Sequence, residues 1–356
     1  MAWPIRRSSR PATCWPPWSV LCLILLSALP AAAEEPGATQ EGAATYFRIG
    51  TGSAGGTYFP VGGLIASAIT FRPGGKDCGT GACGVPNLIA VSQVTKGSVE
   101  NATEIESGKL DSGLVQADVA HWMYVGQWIF SGKKPAGKLR AIANLYTENI
   151  QLVARRDAGI RSVADLKGKR VSVGETGSGT EVDAKVVLGG FGLTEANLKV
   201  EHVGLVNSAD LIREGKLDAF FLVSGAPSSA VSELADAATA GGMAVTLVPI
   251  DGEGAARIRR AHPFYAESVI AGGTYRGIPP TVTIGVSAEW LVSEDADSGL
   301  IYEITRALWN KSARGFLDSG HPEGRNIRIE TALDGLAVPL HPGAERFYRE
   351  IGLIKP

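Results

Sequence analysis

Between Tyr46 and Val286, short apolar runs alternate with helix-length stretches, and this alternation limits the possible folds more than any other feature of the chain. The run Ala219-Phe220-Phe221-Leu222-Val223 is apolar at consecutive positions. That suits a strand covered on both faces rather than one with a solvent side. Further strand signals fall at Tyr46–Ile49, Leu88–Val91, Leu114-Val115, Leu139–Tyr146, Leu152–Ala154, Arg170–Val173, Val200–Val203, Val245–Pro249 and Val282–Val286. Helical stretches are expected at Tyr58–Ile69, at Ser98–Ser107 with Gly108 as a stop, and at Val119–Phe130. Others are expected at Thr180–Leu188 ended by Gly189-Gly190, at Ser208–Glu214 stopped by Gly215, and after Pro227. Ser162-x-x-Asp165 resembles a helix-start box. Ile301, Ile304 and Leu308 share one helical stripe and read as core, as do Trp122, Trp128 and Phe130. Strands alternating with helices predict an α/β protein with parallel sheets.

Composition narrows the field. The chain has 356 residues, enough for two domains, and a formal net charge of −2, which excludes a strongly basic nucleic-acid binder. Its 45 glycines exceed ordinary usage, yet they follow no Gly-X-Y repeat, so the chain is not collagen-like. At the N-terminus, Arg6, Arg7 and Arg10 precede the apolar run Val20–Leu29 and the small residues Ala31-Ala32-Ala33. The run is shorter than the roughly 20 residues a spanning helix needs, so residues 1–33 read as a cleaved signal peptide. Residues 34–43 would be a flexible leader, and the mature protein is expected to be exported. Cleavage there removes Cys14 and Cys22 and leaves Cys78 and Cys83, an even pair expected to form a disulfide in an exported chain. The five histidines (121, 202, 262, 321 and 341) show no ligand spacing in sequence, so no metal site is expected.

Two turns carry the chemistry. Gly50-Thr51-Gly52-Ser53-Ala54-Gly55-Gly56-Thr57 and Gly174-Glu175-Thr176-Gly177-Ser178-Gly179-Thr180 each sit between a strand and a helix. A helix N-terminus offers unpaired N–H groups and a partial positive charge, and glycine lets backbone approach a ligand closely. The hydroxyls of Ser53, Thr57, Ser178 and Thr180 add donors. Such turns serve either as ordinary caps or as two halves of a clamp on a small anion. The first turn matches Gly-x-Gly-x-x-Gly but lacks a well-placed acidic residue at the end of the next strand. Neither turn is followed by Gly-Lys-[Ser/Thr], and neither makes Gly-x-Ser-x-Gly. No catalytic residue and no cofactor is therefore assigned. Gly97–Asn101, Gln116-Ala117-Asp118 and Ser224-Gly225-Ala226-Pro227 also lie at strand ends or helix starts, where capping and ligand contact both stay open.

The runs IGTGSAGGTYFPVGGLIA (49–66), KGSVEN (96–101), LDSGLVQADVAHW (110–122), SVADLKGKRVSVGETGSGTEVDA (162–184), GKLDAFFLVSGAPSSAV (215–231), HPFY (262–265), AGGTY (271–275) and VPLHPGAERFYRE (338–350) resemble, in order, the TAXI family. These are extracytoplasmic solute receptors of TRAP-type transporters. The resemblance implies a type II-like periplasmic binding protein fold, with two α/β lobes joined by two hinge-crossing strands. Lobe I would comprise residues 44–147 and 250–356, and lobe II residues 148–249, with crossings near Tyr146–Leu152 and Val248–Gly252. It also implies a monomer that hands its ligand to TRAP membrane permease subunits driven by an ion gradient, and a ligand such as glutamate, 2-oxoglutarate or a related carboxylate. The ligand contacts it implies are Ser53, Thr57, Tyr58, Asn101, Gln116 and Asp118 from the first lobe, and Gly177, Ser178, Thr180, Gly225 and Pro227 from the second. Where relatives commonly show Gly-x-Pro-Thr, this chain has Gly225-Ala226-Pro227-Ser228, a departure that could shift ligand preference. The same fold could instead report ligand to a membrane histidine kinase, and a secreted α/β hydrolase is a weaker alternative.

Overall fold

The computed structural model describes residues 44–72, 84–239 and 241–355. The expected signal peptide, the leader and the Cys78–Cys83 disulfide lie outside them. In chain order the elements are β1 (Thr45–Gly50), α1 (Tyr58–Ile69), β2 (Leu88–Gln93), α2 (Ser98–Glu106), β3 (Ser112–Gln116), α3 (Ala117–Val125) and β4 (Leu139–Arg155). Next come β5 (Arg170–Ser172), α4 (Gly179–Gly190), β6 (Lys199–Glu201), α5 (Leu205–Arg213), β7 (Ala219–Ser224), α6 (Ser229–Thr239), β8 (Val245–Val248) and α7 (Gly252–Ala261). The chain closes with β9 (Ala266–Ile270), β10 (Thr281–Ser293), α8 (Ser298–Leu308), α9 (Lys311–Gly320) and α10 (Pro342–Glu350).

The strands form one path, β2-β1-β3-β10-β4-β7-β5-β6, with β8 attached to β4 and β9 to β10. The outer strands run parallel, β1 with β2 and β3, and β5 with β6 and β7. The middle departs from the expected parallel pattern, because β4 and β10 run antiparallel to each other and to their neighbours β7 and β3. These two long strands join the halves of the molecule. Up to Asn149, β4 pairs with β10, and from Asn149 onward it pairs with β7 and then β8. The expected break between Tyr146 and Leu152 is therefore absent. Thr147-Glu148-Asn149 interrupts the apolar pattern because the strand changes partners there, not because it ends.

The return crossing differs from the expected one. Residues 252–278 pack with the second half: Ile258 of α7 approaches Gly190 of α4, and Ile270, Tyr275 and Ile278 share a core with Phe220, Leu222 and Leu234. The chain comes back along β10, whose first residues pair with β9 and whose later ones pair with β3. The first half has its own core, in which Ile49, Leu114 and Trp290 of the sheet are covered by Ile65 of α1, Ile304 of α8 and Tyr348 of α10. Every one of these six is almost wholly buried.

Local signals hold in part. The Ser162–Asp165 box is present, on a short 3-10 turn at Val163–Leu166. The helix expected over Val119–Phe130 stops at Val125, because Gly126 turns left-handed at φ 67°. Ser98 does not cap α2; that position is Gly97, and the Ser98 hydroxyl donates to Gln116 Oε1 at 2.9 Å.

Candidate functional site

The first glycine turn leaves β1 and enters α1, while the second leaves β5 and enters α4. Topology brings them face to face across β4. Between them lies a cavity of about 70 Å³, and of the candidate residues Ser53, Thr57, Tyr58, Gln116, Ser178 and Thr180 line it. The N-terminus of α4 opens onto it, since Ser178, Gly179 and Thr180 are all lining residues. That places the positive end of a twelve-residue helix at the cavity.

The two halves are closed over this space. Thr57 is the main fastener on one side: its N–H donates to Ser224 Oγ at 3.2 Å, and its hydroxyl lies 3.0 Å from the same atom. The Gly225 N–H donates to Thr57 Oγ1 at 2.9 Å. Farther along, the Gly55 carbonyl accepts from Ser228 Oγ at 2.9 Å and from the Ala230 N–H at 3.2 Å, so the first turn caps the start of α6. On the opposite wall Gly179 lies so close to Gln116 that a Cβ added there would fall 1.4 Å from Gln116 Oε1. Any side chain there would require the Gln116 amide to move.

Not every expected contact belongs to the cavity. Asn101 is fully buried and builds scaffold: its Nδ2 donates to the carbonyls of Thr51 and Leu114 at 2.7 and 2.8 Å, and its Oδ1 accepts from Thr95 Oγ1. Asp118 faces Tyr265, whose hydroxyl lies 2.9 Å from its Oδ2. The Gly177 N–H is taken by Glu181 Oε2 at 3.1 Å, and its carbonyl accepts from the Glu100 N–H across the halves. Gly225 packs against Glu323, with room for no side chain. Pro227 follows a cis peptide bond and is not among the residues that line the cavity. Helix starts and strand ends attract polar residues for capping as well as for binding, and the local pattern is the same in both cases.

Three charged residues not among the expected ligand contacts also line the cavity: Lys96, Glu148 and Glu175. Lys96 sits just before the α2 turn, and its proximity lowers the Glu175 carboxyl somewhat while burial raises it overall. Glu148 lies on the crossing strand and is 1% exposed. Its Oε2 has no hydrogen-bond partner, and neither has the nearby Tyr58 hydroxyl. Burial pushes its carboxyl up to about 8; the Tyr58 hydroxyl opposes the rise, and the acids Glu323 and Asp118 add to it. A single acid inside an apolar strand carries no motif, and only its alignment with the partner change at Asn149 marked it.

A different cluster, which spacing in sequence did not show, gathers Glu181, Glu195 and His202 with ligand atoms within 4.8 Å of one another. The Lys185 ammonium already lies against Glu181 Oε1 at 2.7 Å, supplying the positive charge there.

Residues 49–352 match the NMT1-like family. Among solved structures, the chain is similar to the alkanesulfonate-binding protein SsuA from Xanthomonas axonopodis pv. citri bound to MOPS, at 14% identity over 86% of this chain and 84% of that one, with a TM-score of 0.42. It is similar to PhnD1 from Prochlorococcus marinus (MIT 9301) in complex with methylphosphonate, at 12% identity over 87% and 99%, with a TM-score of 0.47. An ancestral arginine-binding protein bound to arginine is 15% identical over 77% and 97%, with a TM-score of 0.45. In this chain two α/β halves are joined by the crossing strands β4 and β10, and residues of both halves line the cavity. By its match over residues 49–352, this chain belongs to the NMT1-like family.

Proposed function

We propose that the protein is an extracytoplasmic solute receptor that captures a small carboxylate by closing its two halves and presents it to a membrane permease of the TRAP type. The observation that carries this reading is the cavity itself. It is closed by hydrogen bonds between the halves and lined by hydroxyls, by Lys96 and by the N-terminus of α4, a set suited to an anion. The resemblance of the glycine-rich runs to the TAXI family supports a carboxylate such as glutamate or 2-oxoglutarate. Among the described residues, the cavity hydroxyls of the second turn are engaged by backbone and not by a base: Ser178 Oγ accepts from the Glu181 N–H as a helix cap, and Thr180 Oγ1 accepts from Val223 N–H. That favours binding over turnover.

A thermal-shift screen of the mature protein tests it, with glutamate, 2-oxoglutarate, succinate, methylphosphonate and an alkanesulfonate as ligands. Stabilisation by a carboxylate is the expected result. Stabilisation by the phosphonate or sulfonate alone would overturn the carboxylate assignment. Co-purification with a membrane histidine kinase in place of permease subunits would turn the receptor into a sensor.

A further inference from the structure

Glu148 is out of place in an anion site. It is 1% exposed, it lines the cavity, and its Oε2 is without a partner. The groups that face it are acids or neutral donors. Tyr58 comes from α1 and Tyr146 from β4 itself; Glu323 comes from the segment after α9, Asp118 from α3 and Asp183 from α4. Lys96 and Glu175 stand elsewhere on the cavity wall, and no arginine or lysine is bonded to Glu148 among the described residues. A carboxylate placed there would be desolvated and repelled by its neighbours. A carboxylic acid would not, and it would add an O–H donor to a cavity already furnished with donors. A hydroxyl of that kind makes a short, strong hydrogen bond to a carboxylate.

Taking the anion-receptor reading as its basis, we propose that Glu148 is carried as a neutral carboxylic acid that donates its proton in a hydrogen bond to the bound anion, so that the cavity captures one anion together with one proton. The proton is not transferred to solvent on binding; it is held between Glu148 and the ligand, and bound ligand makes its loss harder. Two consequences follow from linkage. Above the point near 8 at which free Glu148 ionises, affinity falls with rising pH, and binding draws a proton from the buffer. The cavity also discriminates against ligands whose cationic group must sit at Glu148, since these require the ionised form and expel the proton.

Isothermal titration calorimetry at about pH 8.5, in Tris and in triethanolamine, reads the proton directly from the difference in apparent enthalpy. The probes are succinate, 2-oxoglutarate and glutamate. The wild-type protein should take up a proton on binding, and its dissociation constant should rise about tenfold for each pH unit above 8. Glu148→Gln keeps a donor and the shape; it should bind with a flat pH profile and no uptake. Glu289→Gln, which alters another buried acid held near 8 but outside the cavity, should leave the uptake in place. Binding by the wild type with no proton exchange would overturn the proposal. So would proton release with glutamate, which would mark Glu148 as an ionised partner for an ammonium, or uptake that survives in Glu148→Gln. Failure of all three probes to bind would instead overturn the receptor reading on which the proposal rests. The wild-type profile decides the question even if Glu148→Gln does not fold.

Discussion

Asp118 on α3 and Asp183 on α4 come from opposite halves of the molecule and meet at one phenol: Tyr265 Oη lies 2.9 Å from Asp118 Oδ2 and 2.5 Å from Asp183 Oδ1. The Gln116 side-chain amide also donates to Asp183 Oδ2. A phenol has one proton, so it satisfies one carboxylate, and the second contact is a hydrogen bond only if a carboxyl supplies the proton. Both acids are completely buried, and burial holds both well above the ordinary carboxyl range, with Asp118 repelling Asp183. The halves are therefore bridged by an acid pair that keeps a proton.

Removing the shared phenol exposes the cost of that arrangement. Tyr265→Phe leaves two buried carboxyls without their common donor, and an unsatisfied buried polar group costs about 1–3 kcal/mol. Urea unfolding at neutral pH should show a loss of that order. A loss below about 0.5 kcal/mol would mean that the pair finds another donor.

Buried acids also set a pH dependence of stability. Burial raises Glu289 to about 8, although its Oε1 accepts from the Ala337 N–H at 2.7 Å. The folded protein then holds this proton more tightly than the unfolded chain does. Its contribution is complete below the unfolded value near 4.5 and is lost as pH rises through 8, at up to about 1.4 kcal/mol per pH unit. Glu289→Gln should flatten the fall in unfolding free energy between about pH 5 and 8, measured by urea titration at a series of pH values. An unchanged slope would assign the dependence to the Asp118–Asp183 pair or to Glu148.

Closure depends on a glycine. Gly179→Ala would put its Cβ 1.4 Å from Gln116 Oε1 and 2.8 Å from Ser98 Oγ, both across the gap between the halves. The variant should lose at least about a hundredfold in carboxylate affinity, roughly 3 kcal/mol, and show a larger radius of gyration in X-ray scattering with ligand present. Wild-type affinity would show that Gln116 can swing away without consequence.

Ser178 and Thr180 separate binding from capping. Ser178 Oγ accepts from the Glu181 N–H at 3.1 Å as the cap of α4, so Ser178→Ala should cost about 0.5–2 kcal/mol of stability as well as affinity. Thr180→Val should weaken carboxylate binding by about 1.5–3 kcal/mol, read by calorimetry. Unchanged affinity in both variants would remove the second turn from the site.

Much of this protein was legible in its sequence. Consecutive apolar positions at Ala219–Val223 gave a strand covered on both faces, and the position of Gly/Ser/Thr turns between strand and helix picked out Ser53, Thr57, Ser178 and Thr180, which do line one cavity. Those signals are local, because strand burial and helix entry are written in neighbouring residues. The sequence did not distinguish Asn101 and Asp118, which complete the scaffold, from Gln116, which reaches the cavity, since all three are polar residues at element boundaries.

What the tertiary structure decided depends on residues far apart in the chain. Glu148 lies where β4 changes partners from β10 to β7, and it faces groups from α1, α3 and α4 that no spacing rule connects. Gly179 is needed because of Gln116, and Asp118 is buried because Tyr265 and Asp183 meet it. The sequence by itself determined the α/β elements and the chemistry of the two turns. The crossing of β4 and β10 decided which buried acids share the space between them, because burial and charge repulsion act through distance in space and not along the chain.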